Sequence, residues 1–408
     1  MTAWRPAGFP PMRGFWLASL LLLAGCADLG LPLPEEPAEK SKPSSLTLRS
    51  IDFDDLDSWD AEKFTEALPA FLRSCDRIEK KDPKVQMGSD VRMGTYGDWQ
   101  KICKDARIIR PGNKVEAKYF FESRFVAYVA GDRNEPGGLF TGYYEPELIG
   151  RWAPEAEYQI PIYSRPTDLV SIDLGAHRPE LAGTQLAGRI VDNKLVPYYS
   201  RAEIGSGALR GLGLEVLWVA DPVEAFFLHI QGSGRVRLAD GSHVRVGYAG
   251  RNGRKYTSIG RELVAMGVMP LKDVTAPAIQ DWLRANPAAG SALMNKNESF
   301  VFFRVIEGEG PIGAEGVALT PGRSLAVDRA FLPYGIPIWL DTTDPVDDSP
   351  LRRILIAQDT GSAIKGVVRG DVFWGFGEMA ARRAGLMKQR GRYYLLLPKS
   401  AEHPAPLS

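Results

Sequence analysis

The chain has 408 residues, with 50 basic and 50 acidic side chains and therefore no formal net charge. Hydrophobic residues make up 44% and charged residues 25%, enough for a sizeable core and for about two or three domains. The charge balance excludes the basic footprint of a nucleic-acid binder, and the absence of heptads or longer repeats excludes coiled coil and solenoid.

In chain order, the first feature is an apolar run at 15–24 behind Arg5 and Arg13. It is too short to span a bilayer comfortably and has the layout of a secretory signal peptide. It ends in Leu23-Ala24-Gly25-Cys26, which resembles a bacterial lipoprotein box. That resemblance implies loss of residues 1–25 and lipidation of Cys26, and Ala27 in the next position points to the outer membrane. At about 0.8 kcal/mol per buried CH₂, several acyl chains hold a protein on a bilayer without a spanning helix. Residues 26–46, with Pro32, Pro34, Pro37 and Pro43 among small and charged side chains, read as a flexible tether.

Apolar residues Trp59, Phe64, Leu68, Phe71 and Leu72 recur at helical spacing and predict a helix over 56–80. A second helix is expected over 115–129, with Phe120, Phe121, Phe125 and Val126 on its buried side. Beyond Gly137-Gly138 the texture changes: 140–144, 216–219, 226–230 and 235–238 read as strands. Helices return at 258–266 and at 275–285, where Thr275 can cap. The remaining chain offers strands at 300–305, 324–327, 336–340, 354–357 and 393–397, with one helix at 377–388. Short strands with Gly/Pro corners predict a small closed barrel. The spacing of Cys75 and Cys103 permits a disulfide, which the sequence alone does not establish. Four histidines without ligand spacing imply no metal site, and no nucleotide loop implies a cofactor.

The densest polar run is 357–371, fed by the apolar stretch 354–357 and left through 372–374. It delivers Asp359 and Asp371 to loop ends beside Lys365 and Arg369, and Asp328 follows another short strand. Taken alone, these aspartates also read as turn residues. An aspartic protease would need a second Asp-Thr-Gly to share a proton, and none is present.

Several motifs occur together here. They include Gly322-Arg323-Ser324-Leu325-Ala326-Val327-Asp328, Phe331-Leu332-Pro333-Tyr334-Gly335, Gln358-Asp359-Thr360-Gly361-Ser362 and Arg369-Gly370-Asp371-Val372-Phe373-Trp374. Upstream stand Phe140-Thr141-Gly142-Tyr143-Tyr144-Glu145-Pro146, Ile230-Gln231-Gly232-Ser233-Gly234, Gly247-Tyr248-Ala249-Gly250-Arg251-Asn252-Gly253 and Tyr256-Thr257-Ser258-Ile259-Gly260. In this order they resemble the membrane-bound lytic murein transglycosylase A family, with its insert and its three-aspartate ("3D") domain. Ser362 stands where some members carry a second glycine.

The resemblance implies a mainly β protein with flanking helices. A double-psi β-barrel would be built from 47–145 and 296–400 around an inserted, smaller β domain at 146–295, with a groove between them for a glycan strand. It implies a lytic transglycosylase, a carbon–oxygen lyase acting on polysaccharide. Such an enzyme cleaves the β-1,4 bond between N-acetylmuramic acid and N-acetylglucosamine and leaves a 1,6-anhydromuramoyl end, in cell-wall turnover and remodelling. By position, Asp371 is the catalytic acid, Asp359 its carboxylate partner and Asp328 structural support. Thr141, Tyr143, Tyr144, Gln231, Ser233, Lys365 and Trp374 are the expected substrate contacts. The chemistry needs a protonated Asp371 near neutral pH, so Lys365 and Arg369 are expected to face substrate or solvent. Implied partners are peptidoglycan glycan strands, the outer membrane through Cys26, and cell-wall synthesis proteins. The protein would be a monomer facing the periplasm of a Gram-negative bacterium. The rival expectation is a non-catalytic, peptidoglycan-binding envelope lipoprotein, which needs the groove but no raised acid.

Overall fold

The computed structural model describes residues 44–401 apart from 179, 180, 182–184 and 309. Cys26, the leader and nearly all of the expected tether lie outside the described residues. The chain opens with strand β1 (Leu46–Ile51), helices α1 (Phe64–Ile78), α2 (Tyr96–Arg107) and α3 (Lys114–Arg124), and strands β2 (Phe125–Asp132) and β3 (Gly138–Glu145). Helix α1 buries Phe64, Ala67, Leu68, Phe71, Cys75 and Ile78. Of the expected stripe it carries Phe64, Leu68 and Phe71 buried and Leu72 half-buried, whereas Trp59 lies before it in a separate 3-10 turn, so the helix starts at 64 rather than 56. Helix α2, which the hydrophobic pattern did not reveal, starts with a capping box between Thr95 and Asp98. A disulfide joins Cys75 of α1 to Cys103 of α2, with Cα atoms 5.5 Å apart.

The expected helix 115–129 ends at Arg124, and Phe125 and Val126 begin β2. The aromatic pattern does not mark the change, because Phe120, Phe121 and Phe125 pack into one core with Phe71 and Trp99 whichever element carries them.

The middle of the chain holds β4 (Glu147–Arg151), β5 (Ile160–Tyr163), β6 (Val170–Asp173), β7 (Gln185–Val191), β8 (Lys194–Pro197), α4 (Arg201–Gly205) and β9 (Glu215–Val219). There follow α5 (Pro222–Gln231), β10 (Ser233–Arg237), β11 (His243–Arg251), α6 (Ile259–Ala265), α7 (Ala276–Ala285), α8 (Pro287–Lys296) and β12 (Val301–Ile306). The expected strand at 226–230 is therefore a helix. Asp221 caps it by accepting from Val223 N–H at 2.7 Å, Pro222 occupies its first turn, and Gly232 ends it in the left-handed region. An uninterrupted apolar run suits a buried helix as well as a buried strand.

The last part contributes β13 (Ser324–Val327), β14 (Pro337–Thr343), β15 (Pro350–Asp359), β16 (Arg369–Phe376), α9 (Glu378–Leu386) and β17 (Lys388–Pro398). Their pairing closes a ring: β17–β14–β15–β13–β16–β3 and back to β17. β13–β15 and β16–β3 are parallel, the other contacts of the ring antiparallel. β2 and β1 extend the sheet from β17. The barrel therefore takes strands from both ends of the described chain.

A second sheet runs β12–β11–β10–β4–β9–β5, and Ser164 just beyond β5 bridges to Phe303 of β12. β12 lies past the expected limit at 295, because the chain returns after α8 to complete this sheet. A small meander, β6–β7–β8, stands beside it. The only residue between β3 and β4 is Pro146, so the chain passes from one β system to the other in a single step.

Candidate active site

The pairing register decides what the barrel presents. Ala326 of β13 stands opposite Asp359 of β15 on one side and opposite Asp371 of β16 on the other; Asp371 in turn faces Thr141 of β3. Four strands thus place Asp359, Ala326, Asp371 and Thr141 in one row. With strands about 4.8 Å apart, the two aspartate Cα atoms are roughly 10 Å apart, and the small side chain between them leaves the gap open.

Asp359 is saturated with donors. Tyr143 Oη donates to its Oδ2 at 2.8 Å, and Ala314 N–H and Thr360 N–H each donate to Oδ1 at 2.9 Å. Burial raises its pKa, these three bonds pull it back, and the like charge of Asp371 pushes it up again. The Tyr143 ring is positioned by Phe373, 5.2 Å away between centroids, and its hydroxyl is held far above its ordinary range by burial and by Asp359.

Asp371 accepts one bond, from Thr141 Oγ1 to Oδ1 at 2.5 Å. Among the described residues its Oδ2 has no partner. Burial raises its pKa, opposed by Arg369 and by the Thr141 bond. Arg369 Nη2 donates to Thr141 Oγ1 at 2.7 Å, so the guanidinium reaches Asp371 through one hydroxyl. This corrects the expectation that Arg369 faces substrate or solvent: its stem starts β16, and the β16–β3 pairing folds its head onto Thr141. Burial lowers its own pKa, while the charge of Asp371 raises it.

In the second β system the Tyr256 hydroxyl is raised by burial and, further down, by the charge of Asp371. Tyr334 feels Asp359 in the same way and is pushed up to about 12, chiefly by burial. Neither tyrosine is singled out by sequence reasoning, although both lie inside the quoted motifs.

The other expected residues distribute unevenly. Asp328 is buried; it accepts from Gly366 N–H at 2.8 Å and from Ala330 N–H at 3.1 Å, tying the loop before β16 to the end of β13. Lys365 pairs with Asp328 at 3.6 Å while its side chain stays 69% exposed. Trp374 does not join the row. Strand alternation sends it with Val372 to the opposite face, where it is buried below Arg383, 5.1 Å from the ring centroid. Gln231 ends α5 and accepts from Tyr144 N–H at 3.2 Å, and Ser233, buried, begins β10. Tyr144 is partly buried, its hydroxyl raised by burial and by Glu224.

The fold and the site together define a two-part β protein whose barrel presents two raised carboxylates on one row. Two family profiles match it: one described as the MltA specific insert domain, over residues 139–304, and one described as the 3D domain, over 323–397. The chain is 32% identical to membrane-bound lytic murein transglycosylase A of Vibrio cholerae, over 96% of each protein. It is also 32% identical to the protein of that name from Escherichia coli K12, over 94% of this chain and 97% of the relative.

Among solved structures, a membrane-bound lytic murein transglycosylase from Agrobacterium tumefaciens superposes with a TM-score of 0.78 at 32% identity, covering 87% of this chain and 98% of that one. MltA from Neisseria gonorrhoeae gives 0.73 at 32% identity, covering 90% and 98%. Escherichia coli MltA with bound chitohexaose gives 0.61 at 26% identity, covering 88% and 95%. The chain belongs to the membrane-bound lytic murein transglycosylase A family.

Proposed function

We propose that the protein is a peptidoglycan lytic transglycosylase that cleaves the β-1,4 bond between N-acetylmuramic acid and N-acetylglucosamine, with Asp371 as its acid. The observation that carries this is the unequal solvation of the two carboxylates. Both oxygens of Asp359 are occupied by donors, whereas Asp371 has one oxygen without a partner among the described residues. Oδ2 of Asp371 is where its proton is presented.

In the reaction Asp371 gives that proton to the glycosidic oxygen, and the bond to C1 of the muramoyl residue breaks with an oxocarbenium-like centre. The muramoyl 6-hydroxyl attacks C1 and returns its proton to Asp371, so the carboxyl is regenerated and no water is consumed. The tethered hydroxyl gains from proximity what a two-carboxylate glycosidase obtains from its second group. Asp359, fixed by Tyr143 and two backbone amides, supplies negative charge beside the cationic centre.

The chitohexaose bound to the Escherichia coli relative supports a sugar polymer as ligand. Thr141 and Tyr143 act here by positioning the carboxylates. Tyr144 at the end of β3, with Gln231 of α5 and Ser233 of β10, would line the approach for substrate, and Asp328 with Lys365 holds the loop before β16. Lipidation at Cys26 would anchor a monomer to the outer membrane, facing the periplasm and the cell-wall synthesis proteins. Asp371→Asn is the test: it should abolish release of anhydro-muropeptides from murein while glycan binding persists. Retained turnover would remove Asp371 from the acid role.

A further inference from the structure

Residues 248–253 close β11, and several of them have a packing duty. A Cβ on Gly250 would stand 2.9 Å from Arg165 Cδ, and one on Gly253, whose φ is +76°, 2.7 Å from the Ala187 carbonyl oxygen. Asn252 is buried; its amide donates to the Tyr199 and Glu298 carbonyls at 2.8 Å each, and its oxygen accepts from Phe300 N–H at 2.9 Å. Tyr248 and Arg251 have no comparable duty. Both are exposed, and with Arg165, Ser171 and Gln185 they line a cleft of about 280 Å³ between β11 and the β6–β7 edge.

The cleft is cationic. Among the described residues no carboxylate pairs with Arg165 or Arg251. Acids of the same segment are engaged elsewhere: Asp168 accepts from the Tyr198 hydroxyl at 2.8 Å and Asp173 from Gly175 N–H at 2.9 Å. Arg165 spends one nitrogen on the Leu169 carbonyl at 2.6 Å and retains further donors. Burial raises the Tyr248 hydroxyl, and Arg251 and Arg165 both pull it down, so the two guanidinium groups act on the same spot.

The volume lies below the range of about 300–1,000 Å³ usual for a whole small ligand, and suits one charged side group. Three residues beyond Gly253, a span of at most about 10 Å, stands Tyr256, which senses the charge of Asp371.

We propose that this cleft binds a carboxylate of the peptide stem carried by the muramoyl residue, with Arg251 as the specificity-determining contact and Arg165 and Tyr248 beside it. The assignment rests on the transglycosylase reading of the barrel. Arginine presents paired donors to a carboxylate, and the flat face of a tyrosine covers the apolar part of a peptide.

The test compares the full chain with its Arg251→Gln and Arg251→Lys variants on peptide-bearing murein and on the same murein stripped of peptides by an amidase. The readout is the ratio of kcat/KM for the two substrates. Arg251→Gln should lower that preference about fivefold to tenfold, the scale of one charge-assisted bond at an exposed rim, through KM rather than kcat. Arg251→Lys should recover part of it. A preference equal to that of the unaltered chain in Arg251→Gln overturns the proposal, as does a parallel loss on both substrates. Absence of anhydro product from either substrate with the unaltered chain rejects the transglycosylase reading instead. The cleft is then tested by binding of a disaccharide-tetrapeptide, which Arg251→Gln should weaken by the same factor; equal binding would overturn it.

Discussion

Arg369→Gln isolates the electrostatic control of the acid. Two hydrogen bonds in series, 2.7 Å from Arg369 to Thr141 and 2.5 Å from Thr141 to Asp371, hold the opposite charges roughly 5 Å apart. At an effective dielectric of about 20 that separation corresponds to about 3 kcal/mol. Both groups keep some contact with solvent, and screening leaves roughly half of it, equivalent to about one pKa unit. Glutamine keeps a polar stem but removes the charge, together with the Nη1 bonds to the Leu139 and Gly370 carbonyls. Because the reaction needs the protonated acid, activity is lost as pH rises through the pKa of Asp371. Removing the cation raises that pKa, and the alkaline limb of the kcat/KM profile for anhydro-muropeptide release should move up by about one unit. A limb that stays in place or moves down would refute the relay.

Other consequences follow from the same contacts. Tyr143→Phe keeps the ring against Phe373 but removes one of the three donors to Asp359; kcat should fall about tenfold with little change in Tm, and unchanged kcat would dismiss the positioning role. The disulfide encloses a loop set by a separation of 28 residues, so Cys75→Ser with Cys103→Ser should cost about 3 kcal/mol, read as a lower denaturant midpoint. Glu315 is buried, accepts from Ser74 Oγ at 2.7 Å, and is raised by burial from 4.5 to about 7 although Arg77 and Arg329 oppose the rise. Its native form binds a proton that the unfolded chain has released in this window, so stability should fall as pH climbs from about 4.5 to about 7. Glu315→Gln should flatten that slope in pH-dependent unfolding, and an identical slope in the variant would count against it.

What the sequence revealed and concealed has a physical pattern. Periodicity showed α1, α6 and α7, and β-branched or aromatic runs showed β3, β9, β13 and β15, because in each the apolar spacing and the punctuation agree. It failed where several elements share one core: nothing between Arg124 and Phe125 separates α3 from β2. It also failed for α5, although Asp221-Pro222 is a helix start that outweighs the strand-like Phe226-Phe227 pair.

At the site, the aspartates could be named from their motifs. Their spatial order could not, because it depends on β13 lying between β15 and β16. The Arg369–Thr141 bond spans 228 positions and exists only because β16 pairs in parallel with β3. Likewise, Trp374 follows Asp371 closely in sequence yet faces away from it, since alternation along a strand separates them.

The central claim is that the acid cuts without water. The most direct measurement is digestion of murein by the full chain in water enriched in heavy oxygen, followed by mass spectrometry of the released muropeptides. Capture by the muramoyl 6-hydroxyl predicts anhydro ends carrying no label. A heavy oxygen at C1 of the new ends would show that water is the nucleophile, and would contradict the account.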